Sequence, residues 1–312
     1  MSTGQAPFYA DVAEAPEGET SLWLTAADGV RLRVAFWRKG VRGTVLLFPG
    51  RTEYIEKYGP AARELAARGY AMLTIDWRGQ GLSGRLAGDP ALGHVDRFGD
   101  YQKDVAALVA LARAEGLPEP FYLMAHSMGG QIGLRALKEG LPARAAVFSA
   151  PMWGIHIHSA LRPVVWALGG LGSMIGQGKH YAPGTSATSY VLEAAFAGNV
   201  LTRDADMYGF MHRQISRYPD LALGGPSVQW VYEALRDCLA LSHEPAPDVP
   251  CLTMLGTLER VVDPARIRQR MAGWPGGALD LVPDAEHEVM MEAPAVRSRF
   301  YDRASALFAA HF

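Results

Sequence analysis

This sequence contains little cysteine, has nearly balanced charges and lacks long hydrophobic runs. Its 312 residues include two cysteines, Cys238 and Cys251, too few for a disulfide framework and without the paired spacing of a structural zinc site. Thirty lysine and arginine residues stand against 32 aspartate and glutamate residues, a formal net charge of −2. Without a basic run we expect no nucleic-acid partner. The low cysteine content favours a reducing, cytoplasmic compartment.

The sequence also lacks the pattern of an export signal and that of a membrane span. Residues 1–20 are polar and acidic, without the basic start and apolar stretch of a secretory signal. The most apolar segment, Pro163–Gly176, contains four glycines and is shorter than the roughly 20 residues needed to cross a bilayer. We therefore expect no membrane crossing, while a peripheral contact with the inner face of a membrane stays open.

What the sequence does contain is an alternation of short apolar runs with helix-like segments. Runs typical of buried strands occur at residues 44–48, 71–75, 121–125 and 145–149 and return at 251–255 and 279–282. Before them, an Ala27-Asp28-Gly29 turn between two β-like runs predicts a hairpin and an antiparallel edge. The pattern predicts an α/β fold, a mainly parallel twisted sheet with helices on both faces.

The alternation is lost between residues 152 and 249. We expect this region to be an inserted, mostly helical cap over the strand ends, with residues 1–151 and 250–312 forming the two parts of the core. Within residues 153–178, several apolar side chains suit a fatty acyl chain, although packing of the cap on the core explains them equally well; they are Trp166, Leu168, Leu171, Met174 and Ile175. No internal repeat is visible.

The candidate nucleophile is Ser127. The run Phe121–Gly130 (FYLMAHSMGG) is typical of a strand, a tight turn and a helix that begins with two glycines, the context of a nucleophile elbow. Ala125 stands where the usual G-x-S-x-G pattern has glycine, a departure of one methyl group. A buried serine before two glycines also occurs for packing alone, so the motif needs a partner base.

The candidate base is His287, in a loop after the last apolar run. Serine hydrolases of this fold carry their residues in the order serine, acid, histidine, and the acid holds the histidine in the required tautomer. Two carboxylates follow the run at 251–255: Glu259 directly beyond it, and Asp263, which precedes Pro264 and suits a helix cap. We favour Glu259. Asp284, close in sequence to His287, is a third choice.

An oxyanion hole requires two backbone donors. We expect one to be the N–H of Met128, the residue after the nucleophile, and the other that of Arg51, in the loop Pro49–Glu53 after an early strand. The side chain of Arg51 is interpreted equally well as a solvated surface charge without a role in the site. His156 and His158 could suggest a metal pair, but no further ligand lies nearby in sequence, so we expect neither a metal nor a cofactor.

With these residues in place, the chain resembles the lysophospholipase L2 branch of the monoacylglycerol lipase-like serine hydrolases. The matching segments are Pro49–Glu53, Asp76–Arg85, Gly93–Phe98, Ala125–Gly130, Ala150–Met152 and Glu259–Asp263. The resemblance implies an α/β-hydrolase fold, a triad of Ser127, Glu259 and His287, and an acyl-chain site beneath the cap. Many monoacylglycerol lipases have aspartate where this chain has Glu259.

Three functions remain open at this point. The first is hydrolysis of the carboxylic ester of a lipid, a lysophospholipid or monoacylglycerol, through an acyl-enzyme on Ser127. The second is a small-substrate reaction on the same scaffold, by an esterase, a peptidase or a C–C bond hydrolase, which fold analogy does not separate from the first. The third is a non-catalytic binding protein, which would have no need of Ser127, Glu259 and His287 in triad order. The oligomeric state does not follow from the sequence.

Overall fold

A nine-stranded sheet forms the centre of the computed structural model, which describes residues 2–156, 166, 170 and 177–312. The strand order is β1-β2-β3-β5-β4-β6-β7-β8-β9. All neighbours from β5 through β9 are parallel, whereas β1, β2 and β3 join the sheet by antiparallel pairing. The strands are β1 (Ser2–Gln5), β2 (Glu19–Thr25), β3 (Arg31–Trp37), β4 (Thr44–Phe48), β5 (Ala71–Asp76), β6 (Phe121–His126), β7 (Ala143–Ser149), β8 (Cys251–Gly256) and β9 (Gly277–Val282).

The predicted hairpin connects β2 and β3. The N–H of Ala26 donates to the carbonyl of Val30 at 2.8 Å, and Gly29 adopts a φ of 85°, which favours glycine because it has no Cβ. This part of the prediction is confirmed. The short N-terminal strand β1, which pairs with β2 at the sheet edge, is not predicted by the polar sequence there.

Helices cover both faces of the sheet. Successive strand residues point to opposite faces, and the core divides accordingly: Leu46 and Phe48 lie in one buried cluster, and Val45 and Leu47 lie in the other. The described helices are α1 (Ala10–Ala13), α2 (Gly59–Ala67), α3 (Tyr101–Ala114), α4 (Met128–Lys138), α5 (Tyr190–Glu193), α6 (Ala205–Arg217), α7 (Val228–Ser242), α8 (Pro264–Ala272) and α9 (Pro294–Ala310).

These helices confirm the predicted α/β class. Short 3₁₀ helices occur at Ile55–Tyr58, Phe98–Asp100, Pro219–Leu221 and Val289–Met291. Among the described residues, no helix combines the length and the apolar composition that crossing a bilayer requires.

The chain between β7 and β8 contains α5, α6 and α7 in its described part. Hydrogen bonds connect it to the core, among them Tyr54 Oη to Gln214 Oε1 at 3.0 Å, His94 Nδ1 to Ser227 Oγ at 2.8 Å, and Thr202 Oγ1 to the carbonyl of Met291 at 2.8 Å. Four apolar side chains from the acyl-chain prediction and one histidine lie outside the described residues; they are Leu168, Leu171, Met174, Ile175 and His158. The ring of Trp166 packs edge-on against Tyr232 at 5.7 Å.

Candidate active site

Ser127 occupies the turn between β6 and α4. Its φ of 49° and ψ of −119° lie in a strained region for a residue with a side chain. The turn brings α4 very close to neighbouring backbone, since a Cβ on Gly129 would lie 2.1 Å from the carbonyl oxygen of Phe48. The N–H of Ser127 donates to Ser149 at 3.1 Å and its carbonyl accepts from Met152 at 2.8 Å. This is the geometry of a nucleophile elbow.

His287 lies beside Ser127, in the loop after β9. Its Nε2 is 2.9 Å from Ser127 Oγ, a distance at which the neutral imidazole accepts the hydroxyl hydrogen bond. Both side chains are largely buried, with relative exposures of 3% for His287 and 8% for Ser127. The structure therefore brings the predicted nucleophile and the predicted base into direct contact.

Glu259 is the carboxylate that reaches His287. Its Oε2 lies 2.7 Å from His287 Nδ1, and its Oε1 accepts from the backbone N–H groups of Val261 and Val262 at 2.6 and 3.0 Å. Burial opposes ionisation, but the neighbouring His287 and these donors prevail and lower the pKa of Glu259 below its usual value. A charged carboxylate at this position fixes the histidine with Nδ1 protonated and Nε2 facing the serine.

The two competing carboxylates lie elsewhere. Asp263 caps α8, where its Oδ1 accepts from the N–H groups of Ala265 and Arg266 at 3.0 and 3.4 Å, as the sequence predicts. Asp284 is an exposed loop residue with a φ of 57°, and its N–H donates to Thr257 Oγ1 at 2.8 Å. Of the three candidates for the acid, Glu259 is the one whose carboxylate contacts the histidine.

The predicted oxyanion donors belong to the loop after β4 and to the start of α4, and Arg51 lines the same cavity as Ser127. In the loop after β4, the N–H of Gly50 donates to the carboxylate of Glu53 and that of Thr52 to Gln80 Oε1 at 2.5 Å. Within the described part of the chain, no acceptor is found for the N–H of Arg51 between them. The N–H of Met128 is the first in α4, a position without an acceptor inside its own helix. Both groups are thus available to an incoming oxyanion.

The side chain of Arg51 is not a solvated surface charge. It is partly buried and lines the same cavity as Ser127. Its Nη2 donates to the carbonyl of Gly224 at 2.6 Å, and its Cζ lies 5.4 Å from the ring centre of Trp230. Burial lowers the pKa of Arg51 to about 10. The solvated alternative is wrong because chain from between β7 and β8 packs over this side chain.

A buried ionic cluster beside the triad is absent from the sequence prediction. Lys57 Nζ lies 2.7 Å from Glu53 Oε1 and 2.7 Å from Glu288 Oε2, and the His126 ring lies 4.7 Å from that of His287. Desolvation lowers the pKa of His126 to about 3. Three of these residues adjoin predicted site residues in sequence, since Glu53, His126 and Glu288 neighbour the oxyanion loop, the nucleophile and the base. This adjacency in sequence was the signal from which the cluster could have been predicted.

Glu53, His126 and Glu288 have ligand atoms within 4.8 Å of one another, a separation that could suit a metal ion. The Lys57 ammonium, however, already bridges the two carboxylates. It supplies the positive charge that a cation would bring, and we assign the cluster a structural role.

A cavity of about 690 Å³ opens over the candidate triad. Its described lining includes Ser127 and His287. Apolar side chains line it from the core, among them Val261 and Val262, and from the segment between β7 and β8, among them Met152, Ile155, Met211, Ile215, Leu223 and Trp230. An apolar wall around a few convergent polar groups is typical of a small-molecule site. The arrangement provides a nucleophile, a base held by a carboxylate, and space for an apolar substrate.

Known proteins are similar to this chain in sequence. A family model described as "Serine aminopeptidase, S33" matches residues 39–294. "Lysophospholipase L2" of Escherichia coli K12 is 35% identical over 292 residues, which covers 88% of this chain and 83% of that protein. "Probable lysophospholipase L2" of Haemophilus influenzae is 30% identical over 259 residues and covers 82% and 80% of the two chains.

Solved structures share the fold. A soluble variant of monoglyceride lipase from Saccharomyces cerevisiae, solved with a substrate analogue, superposes with a TM-score of 0.75 at 21% identity and covers 98% of this chain and 99% of that chain. The predicted α/β-hydrolase fold and the resemblance to the lysophospholipase L2 branch are both confirmed. The chain therefore belongs to the serine aminopeptidase S33 family of α/β-hydrolases, together with these bacterial lysophospholipase L2 proteins.

Proposed function

We propose that this protein is a serine hydrolase that cleaves the carboxylic ester of a single-chain lipid, a lysophospholipid or a monoacylglycerol, through an acyl-enzyme on Ser127. The observation that carries the proposal is the hydrogen-bonded series Ser127, His287 and Glu259 at the base of an apolar cavity. The names of the relatives support the lipid substrate, because these proteins align with most of the chain.

In the proposed mechanism, Ser127 Oγ attacks the ester carbonyl while His287 Nε2 takes its proton. Glu259 stabilises the imidazolium that forms. The N–H groups of Arg51 and Met128 donate to the oxyanion of the tetrahedral intermediate. His287 then protonates the departing alcohol, and in the second half-reaction it activates the water that releases the fatty acid from Ser127.

Residues 152–249 form the cap in this proposal, and the acyl chain lies between the cap and the core. The apolar part of the cavity supports this location, since Met211 and Ile215 come from α6 whereas Val261 and Val262 belong to the core loop after β8. An acyl chain that binds there is removed from contact with water, and this transfer is favourable because the chain is apolar. Burial of this chain would favour long-chain over short-chain esters.

The cap also supplies a candidate membrane contact. Three large side chains in and beside α5 are exposed, Tyr190 at 43%, Leu192 at 38% and Phe196 at 40%, and Tyr190 lines the cavity as well. We propose that this surface rests on the inner face of a membrane, in the cytoplasm, where a single-chain lipid can pass from the bilayer into the cavity. The buried, unpaired thiols of Cys238 and Cys251 fit a reducing compartment.

The test is hydrolysis of lysophosphatidylcholine, monooleoylglycerol, p-nitrophenyl acetate and an aminopeptidase substrate by wild type and Ser127→Ala. We expect release of long-chain fatty acid by wild type and a loss of turnover by a factor on the order of a thousand or more in the variant. Retained activity in Ser127→Ala would contradict the assigned nucleophile. Cleavage of the acetate or the peptide alone would favour the small-substrate alternatives, and failure of a fluorophosphonate probe to label Ser127 would favour a binding protein.

A further inference from the structure

Among the residues that the structure describes, none gives Arg51 an acidic partner in the candidate substrate cavity. The described residues that line this cavity include one arginine and one lysine, Arg51 and Lys57. Lys57 is held between Glu53 and Glu288. In contrast, no carboxylate among the described residues lies within ion-pair distance of the Arg51 guanidinium. Its charge is therefore uncompensated by this part of the protein.

The hydrogen-bonding capacity of Arg51 is also largely unused. Nη2 donates to the carbonyl of Gly224. Nε is buried and has no hydrogen-bond partner among the described residues, and the same set provides none for Nη1. A guanidinium has five N–H donors, and burying one of them unpaired, as at Nε, is unfavourable. An arrangement of this kind is explained if an anionic ligand supplies the missing acceptors.

The guanidinium is held in place rather than free to move away. Its Cζ lies over the Trp230 ring, 5.4 Å from the ring centre, and a Cβ added to Gly93 would lie 2.5 Å from Nη2, so the guanidinium packs closely against Gly93. Gly93 is in turn bonded to Gly225 through its N–H at 3.0 Å. These contacts fix a planar, forked donor in the cavity, and such a fork matches the oxygens of a phosphate group.

The position of Arg51 suits the phosphate of a lysophospholipid. Its backbone N–H is the proposed oxyanion donor, so the ester carbonyl of a bound substrate lies at the start of the arginine side chain. The covalent path from backbone nitrogen to guanidinium carbon in arginine contains as many bonds as the path from ester carbonyl carbon to phosphorus in a 1-acyl lysophospholipid. A head group that runs alongside the side chain brings its phosphate to the guanidinium.

We propose that the Arg51 side chain binds the phosphate of the substrate head group, which makes this protein selective for phosphate-bearing single-chain lipids over monoacylglycerols. The inference rests on the proposed ester hydrolase function and deepens it. At neutral pH the guanidinium is charged even with its lowered pKa of about 10, so it is available to an anionic phosphodiester or phosphomonoester.

The test compares monooleoylglycerol with oleoyl lysophosphatidic acid, which share the acyl chain and the scissile ester. Both are presented at the same low mole fraction in micelles of an uncharged detergent, which keeps the surface charge of the micelles low. We expect wild type to have the higher kcat/KM for the phosphate substrate. Arg51→Met should lower the ratio of the two kcat/KM values about tenfold or more, because a charge-assisted pair is lost, and Arg51→Lys should lower it less. Arg236→Met, an exposed arginine of α7, should keep the wild-type ratio.

The ratio of the two kcat/KM values distinguishes a role of Arg51 in substrate recognition from a purely structural role. If Arg51 only anchors Gly224, Arg51→Met lowers kcat/KM for both substrates together and leaves the ratio unchanged, which overturns the inference. No preference in wild type also overturns it. Neither result affects the ester hydrolase proposal, which fails only if wild type hydrolyses neither lipid or Ser127→Ala retains activity.

Inhibition supplies a second readout. With p-nitrophenyl acetate as a neutral reporter substrate, glycerol phosphate should inhibit wild type competitively and inhibit Arg51→Met much less. If oleate inhibition is instead the one that weakens in Arg51→Met, the guanidinium binds the carboxylate of the product, and the phosphate assignment is wrong.

Discussion

At the scale of single residues, contact with His287 distinguishes the carboxylate of Glu259 from that of its near neighbour Asp263. Glu259→Gln keeps the shape of the side chain and removes its charge, so we expect turnover to fall by a factor on the order of a thousand to ten thousand, as when a triad acid loses its charge. Asp263→Asn should be mild, since asparagine caps a helix about as well as aspartate. Steady-state kinetics of both variants with one ester substrate measures the difference. The reverse ranking would assign the acid to Asp263.

A second residue-scale prediction concerns His126, which is buried and lies close to Glu53, Lys57 and His287. Desolvation lowers its pKa from 6.5 to about 3. Between these values the unfolded chain binds a proton that the native state does not, so the free energy of unfolding decreases as the pH falls, by at most about 1.4 kcal/mol per pH unit.

His126→Asn removes this titration and should flatten the dependence. Urea unfolding of wild type and variant between pH 6.5 and about 3 measures this pH dependence. Equal slopes for the two proteins would mean that His126 is protonated in the native state.

At the scale of elements, the start of α4 is defined by how closely it approaches the strand β4. A Cβ on Gly129 would lie 2.1 and 2.5 Å from the backbone oxygens of Phe48 and Pro49. Backbone cannot move aside as a flexible side chain can. Gly129→Ala should therefore lower the free energy of unfolding by about 1–3 kcal/mol and also lower turnover, because Phe48 and Pro49 lead into the oxyanion loop.

Gly209 in α6 is the matched control. An added Cβ there meets only the end of the Arg213 side chain, at 3.3 Å. Gly209→Ala should stabilise the protein by about 0.5–1 kcal/mol, because alanine favours the helix more than glycine does. Urea unfolding measures both variants. A stabilisation of similar size in the two variants would indicate that helix propensity, and not the close approach, decides the effect at Gly129.

At the scale of the whole molecule, Arg33 connects segments that lie far apart in sequence. Its guanidinium bonds to Asp76 at 2.7 Å, to both oxygens of Glu56 at 2.8 Å and to the carbonyl of Pro7 at 3.1 Å. All three charged side chains are inaccessible to solvent. The N-terminal segment, β3, β5 and the 3₁₀ helix at Ile55–Tyr58 thus meet at one buried ionic centre.

Arg33→Met would leave two buried carboxylates unpaired and should lower the free energy of unfolding by about 3–5 kcal/mol. The control is Arg38→Met, which breaks the half-exposed pair with Glu115 and should cost at most about 1 kcal/mol. Urea unfolding of both variants is the measurement. Comparable losses would mean that the buried centre adds no more to stability than a surface pair.

Local patterns along the chain were enough to predict the α/β fold, the elbow at Ser127, the loop position of His287 and the helix-capping role of Asp263. Each of these depends on neighbours in sequence: the period of apolar residues, a turn before two glycines, or an aspartate ahead of a proline. The confirmed hairpin at Ala27–Gly29 belongs to the same class.

Only the tertiary structure decided which partners meet across long separations. It brings Glu259 rather than Asp263 onto His287, inserts Lys57 between Glu53 and Glu288, and packs Gly224 and Trp230 around Arg51. Spacing in sequence carries no information on such contacts, because they depend on how loops from different strands converge at one end of the sheet. The electrostatic environment of the site follows from that convergence, and with it the position of Arg51, whose charge no carboxylate of the described residues compensates.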